Sequence, residues 1–230
     1  MSVTLQARDL RAIPLFAGVS EDRLGWVRER LHRRHYGAGV HIVTACEVGT
    51  AAYIVISGTV KVYMDREDGT SVILAILGPG EIVGDMSLVD LLGRSATVIT
   101  LEDTEVLSID AAAFRACIRD IPGVAVNLAT ILSRRLRLAN EQILALGTLD
   151  VYGRVARQIQ VLAHEYGEPV TDGTLIPIRL TQHDLADLVG ASRVRVNQAL
   201  GSLKRHGVIS VDQRYRIVVH EPGALADQSA

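Results

Sequence analysis

Side chains suited to reading nucleic acid lie close together near the end of the chain. Arg193, Arg195, Asn197 and Gln198 carry guanidinium and amide groups, which pair with base edges in the major groove of DNA. Residues 192–219 carry six cations and one anion, a local balance of +5, although the chain of 230 residues has a formal net charge of −2. The six cations are Arg193, Arg195, Lys204, Arg205, Arg214 and Arg216. This local excess of positive charge predicts a surface that contacts nucleic-acid phosphates.

Two short helices are predicted to hold these groups. Residues 181–184 (Thr-Gln-His-Asp) have the pattern of a capping box that starts a helix. Residues 190–192 supply a tight turn with a glycine, and Ser192 can cap a second helix over residues 193–206, which Gly207 ends. The segments 208–211 and 215–219 can then pair as a hairpin. Helix, turn, helix and hairpin in this order predict a winged helix-turn-helix.

The apolar residues of this motif indicate which side faces DNA. The two helices are held at a fixed angle by Leu185, Leu188, Val189, Val196, Leu200 and Leu203. The polar side chains then project outward, and the start of the second helix can reach base edges. The hydroxyls of Thr181 and Ser192 and the N–H groups beside them suit phosphates, as do Lys204 and Arg205. The alternative is a helix pair with a solvated polar face.

Upstream of this motif, short apolar segments alternate with turn residues. The segments are residues 40–43, 52–57, 59–64, 72–77, 97–100 and 105–109. Strands of this length at such regular spacing are typical of an antiparallel barrel or sandwich. Asp68-Gly69 has the pattern of a tight hairpin turn.

After Ile109 the apolar period becomes helical. A single stripe, with steps of three or four residues, is formed by Ala125, Leu128, Leu132, Leu136, Ala139, Ile143 and Leu146. Such a stripe either packs on its own barrel or forms a coiled-coil-like seam with a second copy of the chain, and we expect the second. Asp150 can cap a further helix over residues 151–165, and we expect a loop over residues 166–174 and a strand over 175–180 to follow it.

Three motifs, taken in order, resemble one family of bacterial transcription regulators. Residues 80–88 (GEIVGDMSL) and 93–98 (GRSATV) are similar to the phosphate-binding cassette of the cyclic AMP receptor protein and fumarate–nitrate regulator family, the Crp-Fnr family. The long helix ending in residues 149–156 and the helix-turn-helix follow in the same order. The resemblance implies an α+β fold with a cyclic-nucleotide-binding antiparallel β-barrel, a long dimerisation helix and a C-terminal winged helix-turn-helix.

The resemblance also implies a nucleotide pocket. Arg94 and Ser95 match the residues that bind the cyclic phosphate, Asp85 matches the one that holds a ribose hydroxyl, and Arg135 matches an arginine near the ligand. A guanidinium and a hydroxyl suit a phosphodiester, and a carboxylate accepts a hydrogen bond from a hydroxyl. The implied ligand-binding set is Gly84, Asp85, Met86, Ser87, Arg94, Ser95, Arg135 and Asn140. The implied effector is cyclic AMP, and no metal is expected.

Two departures from the family pattern concern the ligand. Asp85 stands where glutamate is usual, so its carboxylate is one methylene shorter. Ala139 and Asn140 stand where the cyclic AMP receptors have a Thr-Ser pair that contacts the adenine. Ala139 cannot form a hydrogen bond, whereas Asn140 offers a donor and an acceptor and can replace a serine.

A third departure concerns the DNA sequence. In cyclic AMP receptors the recognition helix begins Arg-Glu, with a second Arg four residues after the Glu; the matching positions here are Arg193, Val194 and Gln198. Arg193 can bind guanine through O6 and N7, Val194 can meet a thymine methyl group, and Gln198 suits adenine. We therefore expect a half-site that differs from the family's TGTGA-like sequence.

Composition and motifs argue against other classes of protein. No window approaches the ~18 consecutive apolar residues of a membrane span, and the N-terminus lacks a signal-peptide pattern, so we expect a cytoplasmic protein that does not bind membranes. Cys46 and Cys117 are too few for a thiolate cluster. No serine-histidine-aspartate order, paired carboxylate site or phosphate loop indicates an enzyme.

These features predict a homodimeric, ligand-responsive regulator that binds double-stranded DNA and, as the resemblance implies, RNA polymerase. The expected domains are a sensor at 1–115, a dimerisation helix at 116–147, a winged helix-turn-helix at 148–225 and a tail at 226–230. Within the same class, the alternatives are DNA binding without cyclic AMP and a response to another nucleotide. A distant alternative is a cupin-like barrel enzyme, for which the sequence offers no His/Glu metal set.

Overall fold

The computed structural model describes residues 7–66, 70–178, 180–213 and 216–227. They form two compact units. The first takes in the described parts of Met1–Met64 and Ala75–Arg137, and the second takes in those of Asp65–Leu74 and Leu138–Ala230. The boundary after Arg137 therefore falls inside a helix, and the domain limits expected from the sequence stay a prediction.

Among the described residues between His32 and Asp110, short strands form two four-stranded sheets, with the orders β1-β8-β3-β6 and β2-β7-β4-β5. The strands are β1 (His32–Tyr36), β2 (His41–Val43), β3 (Ala51–Ser57), β4 (Val60–Asp65), β5 (Ser71–Leu77), β6 (Ile82–Val83), β7 (Thr97–Thr100) and β8 (Thr104–Asp110). The described pairings within both sheets are antiparallel, as the alternating apolar segments predicted.

The two sheets pack through one apolar core made of valines from both of them. This core contains Val43, Val55, Val60, Val83 and Val98. The expected fold is confirmed, with one correction: the sheets do not close into a barrel. Because β6 has only two residues and β2 only three, the hydrogen-bonded ladders end at these edges.

Helices in the first unit pack against the sheet that contains β3 and β8, and Leu24, Phe114 and Leu128 are buried in the resulting core. The helices are α1 (Ala7–Arg11), α2 (Glu21–Arg28), α3 (Met86–Val89), α4 (Ala111–Asp120) and the first part of α5 (Pro122–Thr148), whose residues after Arg137 belong to the second unit, with a 3-10 turn at Pro14–Phe16. Helices α4 and α5 are bent by 105° at Ile121. Pro122 is suited to the first turn of a helix, where no backbone N–H is needed. The chain can therefore change direction at Ile121, and a new helix can begin at Pro122.

Among the described residues, no single helix has both the length and the apolar character of a membrane span. Helices α4 and α5 reach the required length and composition only when they are counted together across their bend. Cys117 of α4 and Val124 and Leu128 of α5 belong to the buried core of the first unit.

The second unit carries the winged helix-turn-helix that the sequence predicts. Its elements are α6 (Val151–Tyr166), β9 (Glu168–Val170), β10 (Gly173–Ile176), α7 (Gln182–Val189), α8 (Arg193–Arg205), β11 (Ile209–Val211), β12 (Ile217–Val219) and α9 (Pro222–Asp227). The strands form one sheet in the order β11-β12-β10-β9. Asp150 caps α6 by accepting a hydrogen bond from the Gly153 N–H at 2.8 Å, as expected.

One predicted loop contains a strand. Residues 166–174 include β9, which pairs with β10 at the edge of the sheet. Pro169 fits there because an edge strand needs no N–H on its open side. The strand predicted over 175–180 ends at Ile176, since Pro177 has no N–H to continue the ladder.

Candidate nucleotide pocket and DNA interface

Arg94 lies at the centre of the cassette and is only 8% exposed. Its Nη1 donates hydrogen bonds to the Gly84 carbonyl oxygen at 2.5 Å and to the Ser87 hydroxyl at 2.9 Å. Its Nη2 donates to the Ala51 carbonyl oxygen at 2.6 Å. These protein contacts alone therefore hold the guanidinium in one orientation.

All three of these partners are neutral, and within the described residues Arg94 forms no ion pair. Asp85 and Glu47 act on it only as more distant charges, and burial lowers the pKa of the guanidinium. A buried cation without a contacting anion is costly. The arrangement is therefore suited to binding an anion through the N–H groups that Arg94 does not use.

Gly84 allows this approach because its φ is +73° and it has no side chain. A Cβ atom placed on it would lie 2.6 Å from Nη1 of Arg94. The glycine of the cassette is thus required both by its backbone conformation and by the close packing of the guanidinium.

Asp85 follows Gly84 and is 2% exposed. Both of its carboxylate oxygens lie 3.5 Å from Nη1 of Arg135, a residue of α5. The pKa of Asp85 is raised, because the effect of burial outweighs the opposing charge of Arg135. The carboxylate is poorly solvated and only loosely paired, so it can accept a hydrogen bond from an incoming hydroxyl.

A second buried carboxylate was missed by the sequence reasoning. Glu81 forms ion pairs with Arg134 and, at 3.1 Å, with Nη2 of Arg135, which also donates to the Ile82 carbonyl oxygen. Nε of Arg135 is buried and has no hydrogen-bond partner among the described residues. The only signal was the position of Glu81 inside the cassette motif, and nothing in the sequence indicated its partners fifty residues away.

The remaining predicted ligand residues are placed differently. Ser95 is exposed, and its hydroxyl lies 4.0 Å from the sulfur of Met86, which is also exposed. Ser87 is buried and supports Arg94. Asn140 is exposed on α5 within the second unit. Arg94, Gly84 and Ser87 are therefore brought together, as are Asp85 and Arg135, while the roles assigned to Ser95, Met86 and Asn140 stay predictions.

The helix-turn-helix is defined by hydrogen bonds at its helix ends. Thr181 and Asp184 form the predicted capping box: the Thr181 hydroxyl accepts from the Asp184 N–H, and the Asp184 carboxylate accepts from the Thr181 N–H. Gly190 adopts the left-handed conformation with φ 61°, which ends α7. Ser192 caps α8 by accepting from the Arg195 N–H at 3.4 Å. Both predicted hydroxyls thus have structural roles as well.

The two faces of α8 match the prediction. Val196, Leu200 and Leu203 are buried, and the five residues predicted to reach bases are exposed: Arg193, Val194, Arg195, Asn197 and Gln198. Gln182 of α7 donates a hydrogen bond to the Asn197 side-chain oxygen at 3.1 Å, which links the two helices of the motif.

The positive charge of this unit is concentrated on α8. Lys204 and Arg205 are exposed in its last turn. Arg216 instead forms an ion pair with Asp212 at 2.8 Å, so part of its positive charge is neutralised within the protein. Arg214 lies outside the described residues. We therefore expect the phosphate contacts to come from both ends of α8.

Both the cassette region and the helix-turn-helix region match known protein domains. Residues 33–120 match the cyclic nucleotide-binding domain, and residues 153–228 match the Crp-like helix-turn-helix domain. The chain is 33% identical, over 86% of its length and 88% of the relative's, to the CRP-like cAMP-activated global transcriptional regulator of Mycobacterium tuberculosis. It belongs to the Crp-Fnr family. It is a DNA-binding transcription regulator, in a family of regulators rather than enzymes.

Other members of the family show the same likeness. The cyclic AMP receptor protein of Thermus thermophilus is 35% identical over 87% of this chain and 89% of its own. The crystal structure of the Thermus thermophilus catabolite activator protein is 34% identical, covers 94% of this chain and 98% of its own, and gives a TM-score of 0.52. The structure of FixK2 from Bradyrhizobium japonicum is 22% identical, with a TM-score of 0.78 over 87% of this chain and 98% of its own, and shows the shared fold.

Proposed function

We propose that this chain is a homodimeric transcription regulator whose DNA binding is controlled by cyclic AMP. The observation that carries the proposal is the buried Arg94, which is fixed by neutral partners and lacks a contacting carboxylate among the described residues. An anion that enters this pocket gains charge-assisted hydrogen bonds from a guanidinium that is already oriented. A cyclic phosphodiester supplies one negative charge and acceptor oxygens of the right kind.

In the proposed complex, Arg94 and Ser95 bind the cyclic phosphate and Asp85 accepts a hydrogen bond from the ribose 2′-hydroxyl. Asn140 contributes to recognition of the base. Relatives named as cyclic AMP receptors support this effector. A response to another nucleotide, or DNA binding without any, remains the alternative because Asp85 and Ala139 differ from the usual residues.

The exposed side of α5 supports the proposed homodimer. At the start of the predicted stripe, Leu128 is buried within its own unit. Farther along, Leu136 and Ile143 are 63% and 68% exposed. Apolar side chains at this helical spacing are typical of a seam with a second copy of the helix. We propose that this seam lies within residues 116–147, which include most of α5.

The ion pairs of Arg134 and Arg135 support a route from ligand to helix. Both arginines lie on α5, and they contact Glu81 and Asp85 of the cassette. A ligand that takes over Asp85 changes the partners of Arg135 and so biases the position of α5. In a two-fold dimer, this bias alters the spacing of the two α8 helices, which must lie about 34 Å apart to enter successive major grooves.

We also propose the kind of DNA site and the place of action. A two-fold dimer matches palindromic promoter sites. A regulator of this family acts on the chromosome, so we propose that it works in the cytoplasm and contacts RNA polymerase at promoters. The sensor is assigned to residues 1–115 and the reading domain to 148–225, with a tail at 226–230.

Calorimetric titration of the full chain with cyclic AMP and with cyclic GMP tests the effector. We expect saturable binding of about one cyclic AMP per subunit, with weaker binding of cyclic GMP. Tighter binding of cyclic GMP would correct the base assignment and leave the pocket in place. The absence of binding heat and of any shift in Tm with either nucleotide would contradict the proposed effector.

A further inference from the structure

The turn of the helix-turn-helix is bonded to the last part of α5. The side-chain nitrogen Nε2 of Gln142 donates a hydrogen bond to the Leu188 carbonyl oxygen at 3.0 Å. Leu188 lies in the last turn of α7, where carbonyl groups have no partner within their own helix. An amide donor from α5 thus satisfies one of these acceptors next to the turn that leads into α8.

Neighbouring contacts reinforce this bond. Nη1 of Arg154, on α6, donates to the Gly190 carbonyl oxygen at 3.4 Å. Leu146, one helical turn after Gln142, lies close to the same glycine. A Cβ atom placed on Gly190 would lie 3.3 Å from Cδ2 of Leu146. The turn is therefore contacted by α5 and by α6.

The covalent connection between these helices is short and not helical. Helix α5 ends at Thr148 and α6 begins at Val151, so only Leu149 and Asp150 lie between them. A link of two residues outside regular structure can act as a hinge, since few bonds must change for it to bend. An ion pair between Glu141 and Arg157, 2.7 Å long, joins α5 to α6 across this link.

We propose that Gln142 is a positioning residue for DNA recognition, because it ties the turn before α8 to α5 past this hinge. Each α8 then keeps a fixed orientation relative to the last part of α5, residues 138–148, in its own subunit. This inference rests on the proposed homodimer and its palindromic sites, because orientation matters most when two reading helices must bind at once.

The chemistry of the contact predicts which side chains can replace Gln142. The carbonyl end of α7 carries partial negative charge, so it favours a donor or a cation and disfavours a carboxylate. Methionine has the length of glutamine but no donor. Lysine has a donor and a positive charge, and glutamate has the shape of glutamine with only acceptors.

The test compares two DNA molecules. One carries the full palindrome and the other a single half-site, and each is titrated with the wild-type chain and with Gln142→Met, Gln142→Lys and Gln142→Glu at one salt concentration and saturating cyclic AMP. A defect in the reading helix itself would weaken both complexes equally. A defect in positioning weakens only the complex in which two heads must fit together.

We expect Gln142→Met to bind the palindrome about tenfold more weakly, since each subunit loses one hydrogen bond, and to bind the half-site about as well as the wild type. We expect Gln142→Glu to weaken palindrome binding further and Gln142→Lys to restore the wild-type ratio. Equal losses of affinity for both DNA molecules, no loss for either, or a lysine variant that behaves like the methionine variant would overturn the positioning role. A wild-type chain that gains nothing from the second half-site would instead overturn the proposed dimeric reading, and the positioning role with it.

Discussion

The candidate nucleotide pocket and the candidate DNA-reading helix both contain arginine side chains, but in opposite environments. In the cassette, Asp85 and Arg94 are 2% and 8% exposed and are surrounded by protein partners. On α8, Val194 is 68% exposed and its polar neighbours are exposed as well. Buried polar groups must be satisfied inside the protein, whereas exposed groups are satisfied by water until DNA replaces it. The pocket should therefore respond sharply to single substitutions and weakly to salt, and the helix should show the reverse.

Replacing the buried guanidinium should have the largest effect. We expect Arg94→Ala to weaken cyclic AMP binding by about a hundredfold or more, because the phosphate is deprived of a charged partner in a poorly solvated site. The measurement is a calorimetric titration of the folded variant. Arg33→Ala serves as the matched control, since Arg33 is an exposed arginine of β1 paired with Glu105, and its replacement should leave the affinity unchanged. An Arg94→Ala chain that binds cyclic AMP as tightly as the wild type would place the phosphate elsewhere.

Base readout on the exposed helix should change by smaller, separable steps. We expect sites selected from random DNA to form a palindrome that keeps one guanine per half-site opposite Arg193, with altered preferences opposite Val194 and Gln198. Each contact is worth roughly 1–3 kcal/mol of discrimination, so Arg193→Ala should abolish the preference at that one position. Selection of an unmodified TGTGA…TCACA sequence would show that Val194 and Gln198 do not read bases as argued.

The buried carboxylate of Asp85 gives a test through pH. Its folded-state pKa is raised by burial, so the folded protein holds a proton more tightly than the unfolded chain does. The stability that this proton provides is present below the ordinary carboxyl pKa and is lost as the pH rises through the raised value. At pH 7, without nucleotide, we therefore expect Asp85→Asn to have a Tm at or above that of the wild type. The difference in Tm should shrink toward pH 4.

The same substitution should weaken cyclic AMP binding at pH 7, because a neutral amide is a poorer partner for the ribose hydroxyl than a carboxylate. Two results would contradict the description of the pocket: a Tm advantage that grows as the pH falls, or an unchanged affinity for the nucleotide.

Removing one exposed cation should have the smallest effect. We expect Lys204→Gln to lower the slope of log affinity against log salt by about 1 for each DNA phosphate that is no longer neutralised, equally for all DNA sequences. Titrations at several salt concentrations measure this slope. Lys61→Gln is the control, because Lys61 is a lysine of β4, outside the DNA-reading unit. A slope that does not depend on Lys204 would remove the end of α8 from the phosphate-binding surface.

The sequence predicted the reading unit better than the pocket, for a physical reason. Capping residues such as Thr181, Asp184 and Ser192 act within three residues of themselves, and the apolar period of α8 fixes its buried side. Local order along the chain was enough to predict these features.

The pocket depends on contacts between distant segments. Glu81 forms an ion pair with Arg134, which lies about fifty residues later in the sequence. Arg94 donates a hydrogen bond to the carbonyl oxygen of Ala51, at a sequence separation of 43 residues. No local pattern encodes such pairs, although the cassette motif did indicate Arg94, Gly84 and Asp85. For the same reason, the pattern of short strands predicted antiparallel sheets but not that they stay open, since closure depends on how the edge strands meet.

In the proposed mechanism, an anion bound by Arg94 controls DNA binding by α8. The most direct measurement is the affinity of the full chain for its selected palindrome, by fluorescence anisotropy, with and without saturating cyclic AMP, for the wild type and for Arg94→Ala. We predict that cyclic AMP tightens binding by the wild type about fivefold or more and leaves Arg94→Ala unchanged. Equal wild-type affinity in the two conditions, or an equal gain in the Arg94→Ala chain, would contradict control of DNA binding through Arg94.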